Sequence, residues 1–147
     1  MNTYEMEEGL KFAVENPNFD FGVHLTVTSE WKYHKWGGIL DKAKTPSLHN
    51  SINNFYWNKR RFVKNADLRE IKMELQAQIS LAKSMGLKPS HIDSHEGALF
   101  FDPNIFKIYI DLAVENDLLA FVPIEASMHF NGELEKPSNA VIIDQFH

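Results

Sequence analysis

The spacing of apolar residues changes period several times along the chain, and each change marks an element. Met6, Leu10 and Ala13 fall at i, i+4 and i+7, one face of a helix, and Pro17 follows as a stop. From Asn18 to Thr28 the period becomes two. Phe19, Phe21, Val23, Leu25 and Val27 alternate with Asp20, Gly22, His24, Thr26 and Thr28. That pattern predicts a strand with one apolar and one polar face, and His24 stands on the polar face. Between Ser29 and Asn65 periodicity is lost, in a stretch that holds Trp31, Trp36 and Trp57, all three tryptophans of the chain. Unstructured stretches of this length in compact domains are usually functional or disordered. The simplest role for the tryptophans is to pin the stretch to the core, and the alternative is a stacking platform for sugar rings.

Asp67 to Met85 reads as the clearest helix, with Leu68, Ile71, Leu75, Ile79, Ala82 and Met85 on one stripe. Asp67 with Glu70 has the form of a capping box, Gly86 suits the position after the helix, and Pro89 follows. Ser90 to His95 reads as a short strand. Asp102 and Pro103 open another helix, with Phe106, Tyr109, Ala113 and Ile110 directed inward. Apolar runs at Leu118–Ile124 and Val141–Ile143 complete the pattern. Helix and strand alternating in this way predict α/β units around a parallel sheet or barrel, in one domain.

Composition narrows the chemistry. Hydrophobic residues make up 44% and charged residues 24%, as in ordinary globular proteins. The formal net charge of −5 argues against nucleic acid as a partner, since phosphate contacts need a basic surface. The one basic cluster, Lys59-Arg60-Arg61, reads as a solvated loop. With no cysteine, disulfides, thiolate metal sites and a Cys nucleophile are excluded. The acidic start lacks the apolar core of a signal peptide, and no apolar run reaches the roughly 18 residues of a membrane span. No membrane partner and a cytoplasmic location are the corresponding expectations.

The strongest chemical constellation is Ser90-His91-Ile92-Asp93-Ser94-His95. On a strand, His91, Asp93 and His95 share a face. Nitrogens bonded to one ion at about 2.0–2.1 Å must lie a few ångströms apart, whereas four residues of strand span about 13 Å. His91 and His95 are therefore unsuited to the same ion, and one of them needs a partner from elsewhere. His24, on the polar face of another strand, is the natural candidate. Two histidines and a carboxylate with an open water position make a standard hydrolytic metal site. Taken alone, His24 also reads as a structural histidine. His34, His49, His129 and His147 are expected on the surface or in loops, and Asp102 as a helix cap. No phosphate-binding glycine loop and no G-x-S-x-G turn occur.

Two segments, Phe21-Gly22-Val23-His24-Leu25-Thr26-Val27-Thr28 and Lys88-Pro89-Ser90-His91-Ile92-Asp93-Ser94-His95, resemble the YdjC-like carbohydrate deacetylases, which include chitooligosaccharide deacetylases. Glu74-Leu75-Gln76-Ala77-Gln78-Ile79, Trp36-Gly37-Gly38 and Pro46-Ser47-Leu48 add to the likeness, which runs from about Phe21 to Ile124. The resemblance implies an α/β fold, an incomplete deformed (β/α) barrel of the NodB/YdjC-like kind. It also implies metal-dependent removal of acetyl groups from N-acetylated sugars. In that family a divalent ion, usually assigned as magnesium, is held by an Asp and two His. The two His correspond to His24 and His95, leaving His91 and Asp93 as supporting or substrate-facing groups. Imidazole donors suit zinc, cobalt or nickel better than magnesium. Family members supply the remaining ligand and the base from an Asp-Asp pair, and no Asp-Asp occurs here. The resemblance thus implies a partial deacetylase domain over residues 1–147, with weak or no activity and a homodimer left open. The rival readings are a non-catalytic sugar-binding remnant and another metal hydrolase, such as a phosphoesterase.

Overall fold

A computed structural model describes residues 3–123 and 140–143. The chain runs α1 (Thr3–Glu15), β1 (Gly22–Leu25), a 3-10 turn (Pro46–Leu48), α2 (Lys59–Asn65) and α3 (Leu68–Ser84). It continues through β2 (His91–Ser94), a second 3-10 segment (His95–Phe100), α4 (Pro103–Asn116), β3 (Leu119–Pro123) and β4 (Ala140–Ile143). The four strands form one sheet in the order β1-β2-β3-β4, and every neighbouring pair is parallel. Strand order equal to chain order is singly wound, so α3 and α4 lie on the same face. That is the winding of an arc of a (β/α) barrel. Beneath the two helices Leu25, Ile92, Ala120 and Val122 are buried against Ile71, Leu75, Ile79, Tyr109 and Leu112. By strand alternation the other face carries Gly22, His24, His91, Asp93 and Phe121. No helix among the described residues is long and apolar enough to cross a membrane.

Local chemistry sets the ends of the two long helices. Asp67 accepts hydrogen bonds from the N–H groups of Arg69 and Glu70 at the start of α3. The return arm of the expected capping box is relayed: Ser47 Oγ accepts from Asp67 N at 2.8 Å and donates to Glu70 at 2.6 Å. Gly86 at φ +94° closes α3, and Leu87 N reaches back to Ala82 O at 3.1 Å, a Schellman arrangement. Asp102 caps α4 with Pro103 in its first turn.

Several expectations need correction. The strand predicted over Asn18–Thr28 is ordered as strand only from Gly22 to Leu25. The segment predicted to stay extended through His95 ends at Ser94. Lys59-Arg60-Arg61 is the first turn of α2, capped by Asn58, and not a loop. The stripe of α3 includes two polar residues: Glu74 and Gln78 are buried, while Leu68 is exposed. Of the tryptophans only Trp36 packs on the core, and Trp31 and Trp57 are exposed. His49 lies in a loop, one of the two places expected, but it is buried there and not on the surface, stacked on Phe55 with its ring bonded to Thr45 O and Gly38 N. Ile124, His129 and His147 lie outside the described residues.

Candidate metal-binding site

The parallel register sets His24 of β1 beside Asp93 of β2 on the face that the helices leave open. His24 Nδ1 and Asp93 Oδ2 are 2.7 Å apart. Directly after β2 the backbone turns through two left-handed residues, Glu96 at φ +52° and Gly97 at φ +63°. That turn takes His95 out of the strand. Its Nδ1 comes within 3.0 Å of His24 Nε2, with the two rings at 85°. The far nitrogen of His95, Nε2, lies 2.9 Å from Glu30 Oε2, on the loop that follows β1. The ring of Trp36 abuts His95 at 5.9 Å.

These contacts make a continuous chain: Asp93, His24, His95, Glu30. Carboxylates only accept, so His24 must carry a proton on Nδ1 and His95 one on Nε2. The facing nitrogens, His24 Nε2 and His95 Nδ1, need one further proton between them to make a hydrogen bond. The hydrogen bond to Asp93 raises the His24 pKa above its usual value; burial opposes this and the Asp93 charge assists. Glu30 is lowered: burial alone would raise it, but the bond from His95, its own backbone N–H and Trp31 outweigh that.

The arrangement passes a geometric test for a shared divalent ion. Two nitrogens bound tetrahedrally at about 2.05 Å lie about 3.3 Å apart, and the observed separation is 3.0 Å. That separation is compatible with one ion held by both nitrogens. Two carboxylates then balance its two charges, and each histidine keeps the outer carboxylate partner typical of metal-ligating imidazoles. A second grouping is also present. Ligand atoms of Glu30, His95 and Glu96 all lie within 4.8 Å of one another.

His24, Asp93 and His95 are thus brought together, but His91 is not part of the cluster. Its ring lies over Gly22, stacks on Phe121 at 4.2 Å and 12°, and bonds Ser90 Oγ at 2.9 Å. No periodicity or motif in the sequence marks Glu30. Its place beside Trp31 in the aromatic stretch is its only local signal.

The site lies at the carboxyl ends of the strands, where open α/β sheets and barrels bind ligands. Pairing between β2 and β3 stops at Ile92 and Ala120. Beyond that point Tyr109 Oη reaches the carbonyls of Ile92 and Phe121 at 2.8 and 2.9 Å, bridging the two strands. A cavity of about 400 Å³ opens there, lined by Asp93, Ser94, Glu96, Phe100, Phe121 and Pro123 among others.

The family model for YdjC-like proteins matches residues 1–144. A carbohydrate deacetylase of Thermus thermophilus is 32% identical over 104 residues, covering 71% of this chain and 38% of that protein. One of Vibrio parahaemolyticus is 34% identical over 115 residues, covering 75% and 40%. The chain thus spans about two fifths of the length of these relatives. Among solved structures, an Enterococcus faecalis protein provisionally assigned to cellobiose-phosphate cleavage superposes with a TM-score of 0.72 at 26% identity. It is matched over 86% of this chain and 48% of its own.

Proposed function

Because the chain belongs to the YdjC-like protein family, we propose that it carries the ion-holding histidines of a hydrolase that removes acetyl groups from N-acetylated sugars. The chain Asp93–His24–His95–Glu30 carries this reading, with its two convergent imidazole nitrogens and a carboxylate behind each ring. His24 Nε2 and His95 Nδ1 are the proposed ligand atoms. Zinc, cobalt or nickel fits such donors, and magnesium is what the family resemblance suggests. When bound, the ion supplies Lewis acidity toward an acetyl carbonyl and acidifies water. Asp93 and Glu30 hold the rings in place. The adjoining cavity has polar walls at Asp93, Ser94 and Glu96 and apolar walls at Phe100 and Phe121. That mixture suits a sugar ring, which has polar edges and apolar faces. The names of the curated relatives, carbohydrate deacetylases, favour an acetyl group on a sugar as the group removed.

A second reading moves the ion to Glu30, His95 and Glu96, whose ligand atoms also cluster. Equilibrium dialysis with zinc and cobalt separates the two. The first reading expects one ion per chain, lost in His24→Ala and retained in Glu96→Ala. The second expects the reverse. Acetate release from N-acetylglucosamine oligomers, with and without added ion, tests the activity. A chain that binds no divalent ion refutes both placements.

A further inference from the structure

The orientation of His95 is not set by its backbone. It stands just past the end of β2, followed by two left-handed residues, so no strand ladder holds it. A neutral imidazole has one bare nitrogen, and which one is bare depends on the hydrogen bond made by the other. For His95 that bond goes to Glu30.

We infer that Glu30 is the positioning residue for His95. Its carboxylate takes the proton-bearing Nε2 and so turns a bare Nδ1 toward His24. This rests on the metal reading proposed above and extends it to a residue of the aromatic stretch. Glu30 can accept but not donate, so the His95 proton is forced to its side. Asp93 does the same for His24 from the other end of the chain.

Glu30 is itself held at its base. The preceding residue, Ser29, is buried and tied at three points: its N–H donates to Tyr56 O at 2.9 Å, its Oγ accepts from Trp36 N at 3.0 Å, and its carbonyl accepts from Lys35 Nζ at 2.6 Å. Those bonds bring two parts of the stretch onto His95 together, the Glu30 carboxylate on Nε2 and the Trp36 ring against the imidazole. The stretch thereby supplies what the strand ladder does not, a fixed ring orientation.

The test compares the 147-residue chain with Glu30→Gln, which keeps the side-chain volume. Long-range ¹H–¹⁵N spectra of the metal-free protein report which His95 nitrogen carries the proton, and a zinc titration reports affinity. The expected result is Nε2–H in the parent chain. In Glu30→Gln that preference is lost, and zinc affinity falls by about 10- to 100-fold, the usual effect of removing such a partner. A His95 that stays Nε2–H in Glu30→Gln, with unchanged zinc affinity, overturns the inference. Failure of the parent chain to bind zinc would overturn the metal reading, while the tautomer spectra would still decide the role of Glu30.

Discussion

Glu74 offers the sharpest test of how the aromatic stretch is held. Its side chain is fully buried, and every partner it has is a donor: Ile39 N at 2.7 Å, Leu40 N at 3.0 Å and Gln78 Nε2 at 2.9 Å. Gln78 in turn clasps the backbone of Thr26, accepting from its N–H at 3.0 Å and donating to its carbonyl at 2.8 Å. Two polar residues one turn apart on α3 therefore fasten both the exit of β1 and the segment just after Trp36. A Cβ at Gly38 would stand 2.6 Å from Glu74 Oε2, so the backbone can approach the carboxylate only because residue 38 has no side chain. Replacing Glu74 by Gln keeps the shape but turns one acceptor into a donor. With its remaining oxygen on Ile39 N and Gln78, the new amide faces Leu40 N, leaving one part-buried N–H unpaired. Such a loss costs about 2 kcal/mol. For a chain of this length, that lowers the melting temperature by about 6 °C. Urea unfolding followed by tryptophan fluorescence, together with a thermal scan by circular dichroism, measures it. A change under about 0.5 kcal/mol, the scatter of an ordinary surface substitution, would refute the view that this clamp holds the stretch.

Two further outcomes follow from the site. In the metal-free chain the raised pKa of His24 means that its pairing with Asp93 stabilises the fold fully below the ordinary histidine value, and that this is lost as pH rises through the raised value. Asp93→Asn should therefore destabilise the metal-free fold more at about pH 6 than at about pH 8.5. Urea unfolding of both chains at the two pH values measures this, and a destabilisation at about pH 6 no larger than that at about pH 8.5 would contradict it. Tyr109→Phe should cost about 1 kcal/mol in urea unfolding, because it removes the single O–H that the Ile92 and Phe121 carbonyls share. It should also speed hydrogen exchange at the ends of β2 and β3, and unchanged exchange there would count against the bridge.

The local periodicities of this chain determined the elements. The α3 stripe, the Asp67 and Asp102 caps and the Gly86 stop each depend on residues within one turn, so they could be read without tertiary information. Strand geometry likewise separated His91 from His95 and directed attention to His24. Element ends were less legible. The alternation from Asn18 to Thr28 outlasts the strand itself, because alternation records which side chains could be buried and not where a neighbouring strand stops pairing. The same limit misplaced His95, whose position depends on a left-handed turn at Glu96 and Gly97.

Only the tertiary structure decided the rest. Glu74 and Gln78 sit on the buried stripe of α3, where a polar residue looks like an interruption until its partners 34 to 52 positions away are seen. Glu30 meets His95 across 65 residues. A period along an element reports burial relative to that element's own axis. A hydrogen-bond partner brought in by a loop has no period, so Glu30, the group that completes the His24–His95 chain, became visible only when the aromatic stretch closed over the sheet.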